Sequence, residues 1–238
     1  MKLLKSITVL VFLLSTSISF AQWKKIKGDG NITSITRSTS SYDGLKAAGS
    51  MDFKLVKGTE GDITIKGDAN LMDYIITEVK DNKLIVKTKK GYNLKSTKTI
   101  VVTVPYESIS SVSLSGSGDV ENSGTIKADE FNVSLAGSGD INLNVSTQSI
   151  ESSIAGSGDI ELAGSTTDLT TKIAGSGDFN GKSLESLNVD ARIAGSGDIV
   201  VVCNGKLKAR VSGSGDVTYS GKPTNKDTKV SGSGSVSN

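Results

Sequence analysis

The tetrapeptide Gly-Ser-Gly-Asp recurs through the second half of the chain, and its spacing limits the possible folds more than any other feature. It occupies residues 116–119, 137–140, 156–159, 175–178, 195–198 and 213–216, and a seventh copy at 232–235 has Ser in place of Asp. The first glycines of successive copies lie 21, 19, 19, 20, 18 and 19 residues apart. A constant motif at a period near 19 predicts an array of similar structural units.

Apolar residues or glycines alternate with polar residues around each copy of the motif. The alternation runs through Phe131, Val133, Leu135, Gly137, Gly139, Ile141, Leu143 and Val145, and again from Leu187 through Ile193 to Cys203. A period of two predicts β-strands with one buried face. We therefore expect one interior column formed by Leu135, Ile154, Ile173, Ile193 and Val211.

Each unit also contains a second turn, whose sequence and length vary. Examples are Asn122-Ser123-Gly124 and Asn180-Gly181-Lys182, which have turn compositions. One constant and one variable corner per unit is typical of a coil of a parallel β-solenoid, whereas in an antiparallel meander or barrel each unit would be one hairpin. Alternation does not separate the two. The near-identity of the constant corners favours the solenoid, because stacked coils place equivalent positions in one column ~4.8 Å apart.

The aspartates of the repeat are the candidate site residues, with a structural role as the main interpretation and a binding wall as the secondary one. They are Asp119, Asp140, Asp159, Asp178, Asp198 and Asp216. Stacked carboxylates repel by roughly 0.9 kcal/mol at ~4.8 Å in a water-like dielectric. We expect hydrogen bonds from backbone N–H groups of the turn to offset this repulsion.

The composition argues against catalysis. The 238 residues include no His and one Cys, which excludes a Ser-His-Asp triad, a disulfide framework and a Cys-based zinc cluster. One carboxylate per unit is too few for calcium, and equivalent aspartates do not form a glycosidase pair with two different roles. We predict no enzymatic activity, no catalytic residue, no cofactor and no bound metal. Cys203 is expected to be a buried, inert thiol.

The first 21 residues predict export. Lys2 and Lys5 precede an apolar run over residues 7–20, and Ser19-Phe20-Ala21 is typical of a signal peptide cleaved before Gln22. The run is shorter than the ~20 residues of a membrane span, so we expect no transmembrane segment in the mature chain. The expected location is the periplasm, the outer membrane surface or the extracellular space. Without those two lysines, 25 basic residues balance 25 acidic ones, which argues against nucleic acid as a partner.

Residues 22–110 have a less regular β pattern and are predicted to form a β-rich N-terminal part, a candidate cap for the solenoid of residues 111–238. Six aromatic residues lie here: Trp23, Tyr42, Phe53, Tyr74, Tyr92 and Tyr106. Only Phe131, Phe179 and Tyr219 follow. Any aromatic binding platform is therefore expected in the N-terminal part.

These motifs together resemble a known family over residues 42–236. The stretch from Gly49 to Phe53 (Gly-Ser-Met-Asp-Phe), the turn from Gly67 to Leu71, the strand from Lys83 to Val86 and the Gly-Ser-Gly-Asp array resemble the "putative auto-transporter adhesin, head GIN domain" family of exported bacterial proteins. The resemblance implies an all-β fold, a right-handed parallel β-helix with a less regular N-terminal half, and an adhesin role without catalytic residues.

We therefore expect an exported, non-enzymatic envelope protein whose partner is a glycan or a surface protein. The alternative is a structural envelope scaffold or spacer without a specific ligand.

Overall fold

The computed structural model describes residues 23–238, so the predicted signal peptide, residues 1–21, and its cleavage site lie outside the described residues. Strands account for 69% of the described residues and helix for 3%, which confirms the all-β prediction. Within residues 23–238, no helix has the length and apolar character needed to cross a membrane.

The N-terminal part contains nine strands and one short 3-10 helix. The strands are β1 (Lys24–Lys27), β2 (Ile32–Ser38), β3 (Gly44–Gly49), β4 (Asp52–Lys57), β5 (Asp62–Asp68), β6 (Ile75–Lys80), β7 (Lys83–Thr88), β8 (Tyr92–Lys95) and β9 (Val101–Tyr106). The helix, Ala69–Tyr74, lies between β5 and β6.

The repeat region contains eleven further strands, which form the coils. They are β10 (Ser111–Gly116), β11 (Val120–Ser123), β12 (Ile126–Gly137), β13 (Ile141–Gly156), β14 (Ile160–Gly175), β15 (Phe179–Gly195), β16 (Ile199–Val202), β17 (Lys206–Gly213), β18 (Val217–Ser220), β19 (Asn225–Gly232) and β20 (Val236–Ser237).

Successive coils pair in parallel, which confirms the solenoid and rules out the antiparallel meander. Strand β12 pairs with β13, β13 with β14, and β14 with β15, always in parallel. The solenoid has about seven turns. Its register places Leu135, Ile154, Ile173, Ile193 and Val211 opposite one another in neighbouring coils. These side chains are 1–3% exposed, so the predicted interior column is confirmed.

One residue of the predicted alternation is exposed. Leu187 is 48% exposed, although Ser186 before it and Val189 after it are buried. Leu187 lies beside the variable corner of the next coil, where the Gly205 N–H donates to the Leu187 carbonyl at 2.6 Å, and here the period of two loses its phase. The prediction of Leu187 as a buried residue was wrong for this reason.

The solenoid begins before the Gly-Ser-Gly-Asp array. Strands β3 and β4 pair in parallel with β10 and β11, and Gly49 lies opposite Gly116. The segment from Gly49 to Asp52 is therefore an earlier constant corner with Met in the third position. Continuous coil stacking thus crosses residue 110, and the domain boundary placed there stays a prediction.

In the rest of the N-terminal part, β1 and β2 precede the first coil, and the segment that holds β5 to β9 is an insertion in the sequence between β4 and β10. Strands β7 and β9 of this insertion pair in parallel with β3 and β4. Strand β2 pairs with β5, β5 with β9, and β6 with β7, all antiparallel. Strands β1 and β8 form a separate two-stranded parallel sheet, in which Lys24 lies opposite Tyr92.

Asp68 connects the N-terminal segment to the loop before β9. Its fully buried carboxylate accepts the backbone N–H of Gly30 at 2.8 Å and of Thr97 at 2.9 Å, and the Thr97 hydroxyl at 2.6 Å. These hydrogen bonds, with that of the Thr97 hydroxyl the largest effect, lower the pKa of Asp68. The carboxylate therefore helps to hold β1 beside the solenoid.

Candidate binding site

The aspartates of the constant corners form a hydrogen-bonded ladder along the solenoid. The Oδ1 atom of Asp159 accepts the backbone N–H of Asp178 at 2.8 Å, and Asp178 in turn accepts that of Asp198 at 2.7 Å. The same bond joins every pair of successive corners from Asp52 to Ser235, at 2.7–3.1 Å. The sequence predicted donors within the same turn, but each donor lies in the neighbouring coil.

The ladder gives the aspartates a role in stacking the coils. A hydrogen bond to a charged acceptor contributes about 1.5–3 kcal/mol in a favourable setting, and less where water competes, as it does at these exposed or half-buried carboxylates. Even a reduced contribution is comparable with the repulsion between neighbouring carboxylates. The second interpretation, a binding wall formed by the same aspartates, stays a prediction.

The two glycines of each corner are required for different reasons. Gly156 has φ +136°, a conformation that side-chain-bearing residues rarely adopt. Gly158 has no such requirement, but a Cβ atom at this position would lie 2.0 Å from the carbonyl oxygen of Gly139 in the coil before it. The constant corner is therefore a strip of bare backbone, closely stacked from coil to coil.

A column of exposed serines follows this strip. The second residue of every constant corner is an exposed serine, and the column comprises Ser50, Ser117, Ser138, Ser157, Ser176, Ser196, Ser214 and Ser233. The coil repeat brings one hydroxyl group to this edge every ~4.8 Å. Each hydroxyl can donate one hydrogen bond and accept others.

A groove of about 440 Å³ lies where the N-terminal sheet meets the first three corners, and we call it the aromatic groove. The sheet side contributes Trp23, Tyr92 and Leu94, and the corner side contributes Ser50, Ser117 and Ser138. Trp23 is 59% exposed. The sequence indicated that an aromatic platform would lie in this half. It gave no sign that the first three serines would face it, because their meeting depends on how the insertion packs.

Tyr92 is held by its neighbours on the sheet side of the groove. Its ring packs against Tyr74 at a centroid distance of 4.7 Å and an interplanar angle of 48°. The ammonium group of Lys89 lies 5.9 Å from the Tyr92 centroid. Lys24 is the register partner of Tyr92 across the parallel pair, so the two side chains share one face of the sheet. Two lysines thus lie close to the aromatic side of the groove.

A second groove of about 560 Å³ lies along the repeat, and we call it the apolar groove. Its floor carries the exposed alanines Ala155, Ala174 and Ala194, and Lys172 and Arg192 line its side. These cations also form ion pairs, Lys172 with a glutamate at 2.6 Å and Arg192 with an aspartate at 2.8 Å. The long aliphatic stems of such side chains add apolar surface.

Cys203 is buried, as predicted, and burial raises the pKa of its thiol. In the part of the chain that the structure describes, His, Cys, Asp and Glu side chains form no group of three that could hold a metal ion.

The comparisons with known proteins agree with the fold. A family model described as "Putative auto-transporter adhesin, head GIN domain" matches residues 41–223. Among solved structures, a "putative adhesin" from Bacteroides fragilis is 24% identical, with a TM-score of 0.82 over 90% of this chain and 99% of its own. A "putative adhesin" from Parabacteroides merdae is also 24% identical, with a TM-score of 0.71 over 90% of this chain and 98% of its own.

A "putative lipid binding protein" from Parabacteroides distasonis is 26% identical, with a TM-score of 0.73 over 90% of this chain and 99% of its own. No curated protein matches the chain.

Proposed function

The chain belongs to the auto-transporter adhesin, head GIN domain family, and from this premise we propose that it is an exported, non-enzymatic adhesion module of the cell envelope. Its partner is a glycan or a surface protein. The predicted signal peptide supports export to the periplasm, the outer membrane surface or the extracellular space. The absence of His from the sequence and the adhesin names of the similar structures support a role in binding and not in catalysis.

The aromatic groove is the observation that carries this proposal. Trp23 is 59% exposed, so its indole contributes little to the core. Binding sites commonly combine exposed aromatic surface with a few convergent polar groups, and tryptophan and tyrosine are enriched where proteins bind one another. The solenoid supplies a rigid support for such a site, because neighbouring coils are joined along their whole length.

A binding screen tests the proposal. The protein, purified after expression of the full chain, is applied to arrays of glycans and of extracellular matrix proteins. The adhesion module predicts reproducible, saturable binding to at least one class of molecule on the arrays. A Leu187→Ala variant, which removes an exposed apolar side chain beside a variable corner, is the control for non-specific hydrophobic binding. It should bind as well as the unsubstituted protein. Absence of saturable binding from both arrays would favour the scaffold or spacer alternative.

The apolar groove favours a second candidate function, the binding of an anionic amphiphile such as a fatty acid. The exposed alanines offer an apolar floor and the adjacent lysine and arginine side chains offer positive charge. The name of the Parabacteroides distasonis protein, at 26% identity, supports testing lipid ligands. Titration with oleate should then give saturable binding that Ala174→Gln, which fills the floor, weakens. Equal binding by the two proteins would reject this groove as the site.

A further inference from the structure

The backbone next to Trp23 is held at the edge of the aromatic groove, and most of the Trp23 side chain faces solvent. Two backbone hydrogen bonds hold the strand that follows Trp23. The Lys24 N–H donates to the Gly91 carbonyl at 2.8 Å, and the Gly28 N–H donates to the Lys95 carbonyl at 2.9 Å. An exposed indole presents a flat, electron-rich face. The C–H groups of a sugar ring carry partial positive charge and stack on such a face, so an exposed indole on a held backbone suits a carbohydrate.

Tyr92 adds a second aromatic ring whose orientation is already set. Its contact with Tyr74, at 4.7 Å between centroids, restricts the ring before any ligand arrives. A side chain that is already ordered loses less conformational entropy on binding, and this raises affinity. The groove therefore offers two aromatic rings on its sheet side, one exposed and one supported from behind.

The opposite side of the groove offers hydroxyl groups at a regular spacing. Ser50, Ser117 and Ser138 belong to three successive coils, so they follow one another at ~4.8 Å. The sugar units of an extended polysaccharide recur at a similar distance. Glycines flank Ser117 and Ser138, and Ser50 lies between a glycine and the buried Met51, so no bulky side chain of the corner rises between the hydroxyls and a ligand. Each serine is thus placed to exchange a hydrogen bond with one sugar unit.

The charge around the groove indicates the type of sugar. Lys24 shares a sheet face with Tyr92, and the ammonium group of Lys89 lies 5.9 Å from the Tyr92 ring. None of the described residues that line the groove is acidic. Three corner carboxylates, those of Asp52, Asp119 and Asp140, each lie two residues beyond a groove serine, and each accepts a backbone N–H from the next coil at 3.1 Å. Neither lysine lines the groove itself, but both lie beside Tyr92, so positive charge next to the aromatic side complements a carboxylate-bearing ligand.

We propose that the aromatic groove binds an extended acidic glycan, laid along the first three corner serines with its sugar rings against Trp23 and Tyr92. Lys24 and Lys89 pair with the sugar carboxylates. This inference rests on the proposed adhesion function and specifies its site and ligand class.

The experiment measures the affinity of the purified protein for hexasaccharides of three acidic glycans, hyaluronan, alginate and polygalacturonate. Their carboxyl-reduced counterparts, which keep the sugar backbone and lose the charge, serve as matched ligands. At least one acidic hexasaccharide should bind, and its reduced form should bind tenfold or more weakly. Trp23→Ala and Tyr92→Ala should each weaken binding tenfold or more. Leu187→Ala should leave binding unchanged.

A double variant, Lys24→Gln with Lys89→Gln, separates charge recognition from stacking. It should reduce the preference for the acidic over the reduced ligand and leave affinity for the reduced ligand nearly unchanged. Thermal midpoints of all variants are measured first, and that of Trp23→Ala should match the unsubstituted protein because the indole is mostly exposed.

The outcomes distinguish this inference from the proposed function. Binding to array glycans or proteins that is indifferent to Trp23 and Tyr92 would overturn the inference and leave the adhesion function standing. Equal affinity for acidic and reduced hexasaccharides would overturn the assignment of an acidic ligand. If the protein binds matrix proteins alone and Trp23→Ala abolishes this binding, the partner of the groove is a protein. That result would contradict the proposed glycan ligand.

Discussion

The Oδ1 atom of Asp159 accepts the backbone N–H of Asp178, 19 residues later in the chain, at 2.8 Å. The bond joins two neighbouring coils at their constant corners, and equivalent bonds precede and follow it along the solenoid. The spacing of the motif along the chain therefore matters for the fold, because it places each aspartate beside its N–H donor in the next coil. This relationship gives the recurring Asp a place in the hydrogen bonding between coils.

Two substitutions of Asp159 distinguish the effect of its negative charge on stability from the effect of its hydrogen-bond acceptor. Asp159→Asn keeps an Oδ1 acceptor and removes one carboxylate from the column. Because the lost charge-assisted bond and the relieved repulsion oppose each other, the free energy of unfolding should change by less than about 1 kcal/mol. Asp159→Ala removes the acceptor and should cost about 1–2 kcal/mol. Chemical denaturation of the three proteins measures both values. Equal and large losses would mean that the negative charge is needed, and would indicate a cation or cationic partner at the corners.

The interior column makes a stronger prediction about stability. Ile173 is 2% exposed and lies between Ile154 and Ile193 of the adjoining coils. Ile173→Ala should lower the free energy of unfolding by roughly 2–4 kcal/mol, as is typical of a large-to-small change in a core. Ser176→Ala, in the same unit but exposed, is the matched control and should change it far less. Equal shifts in the thermal midpoint would contradict the assigned packing.

A buried hydroxyl in the same coil offers a stabilising change. The Thr171 side chain is fully buried, and among the described residues its Oγ1 atom has no hydrogen-bond partner. Thr171→Val has nearly the same shape and removes the unsatisfied group, so it should raise the free energy of unfolding by about 1 kcal/mol. Thr170→Val, on the neighbouring part-exposed position, is the control and should have little effect. A loss of stability in Thr171→Val would contradict the assignment of this hydroxyl as an unsatisfied group.

Asp68 predicts a dependence of stability on pH in the N-terminal part. Its pKa in the folded protein is lowered, chiefly by the Thr97 hydroxyl, so the folded state favours the ionised form. The resulting stabilisation is complete above the unfolded pKa of about 3.9 and is lost as the pH falls through the lower folded value. The midpoint difference between the unsubstituted protein and Asp68→Asn should therefore be large at pH 6 and shrink below about pH 4. The exposed Asp129→Asn supplies the baseline, and a difference that stays constant down to pH 2 would contradict this role.

The sequence predicted the repeat coils well because their determinants are local and periodic. Alternation identified the buried face, and the constant corner identified parallel stacking, which places Ile154 opposite Ile173. The prediction failed at Leu187, since a variable corner interrupts the period of two. It also missed the coil that begins at Gly44, because its corner has Met51 in place of the second glycine and 53 residues separate it from the next coil, which starts at Ser111.

The residues that form the aromatic groove could not be predicted from the sequence. Trp23 and Tyr92 are 69 positions apart, and both are distant in sequence from Ser138. Their proximity depends on the parallel pairing of β1 with β8 and on the way the insertion folds back over the first coils. No periodicity encodes that packing. Composition indicated only that aromatic residues are concentrated in this part of the chain.

One comparison tests most directly whether binding uses the N-terminal groove while the repeat provides its support. The unsubstituted protein, Trp23→Ala and Asp159→Asn are applied to the same arrays of glycans and matrix proteins at equal concentration. We predict that the binding signal of Trp23→Ala is at least tenfold lower than that of the unsubstituted protein and that the signal of Asp159→Asn is unchanged. Retention of the signal by Trp23→Ala together with its loss in Asp159→Asn would contradict this account and place binding on the aspartate column.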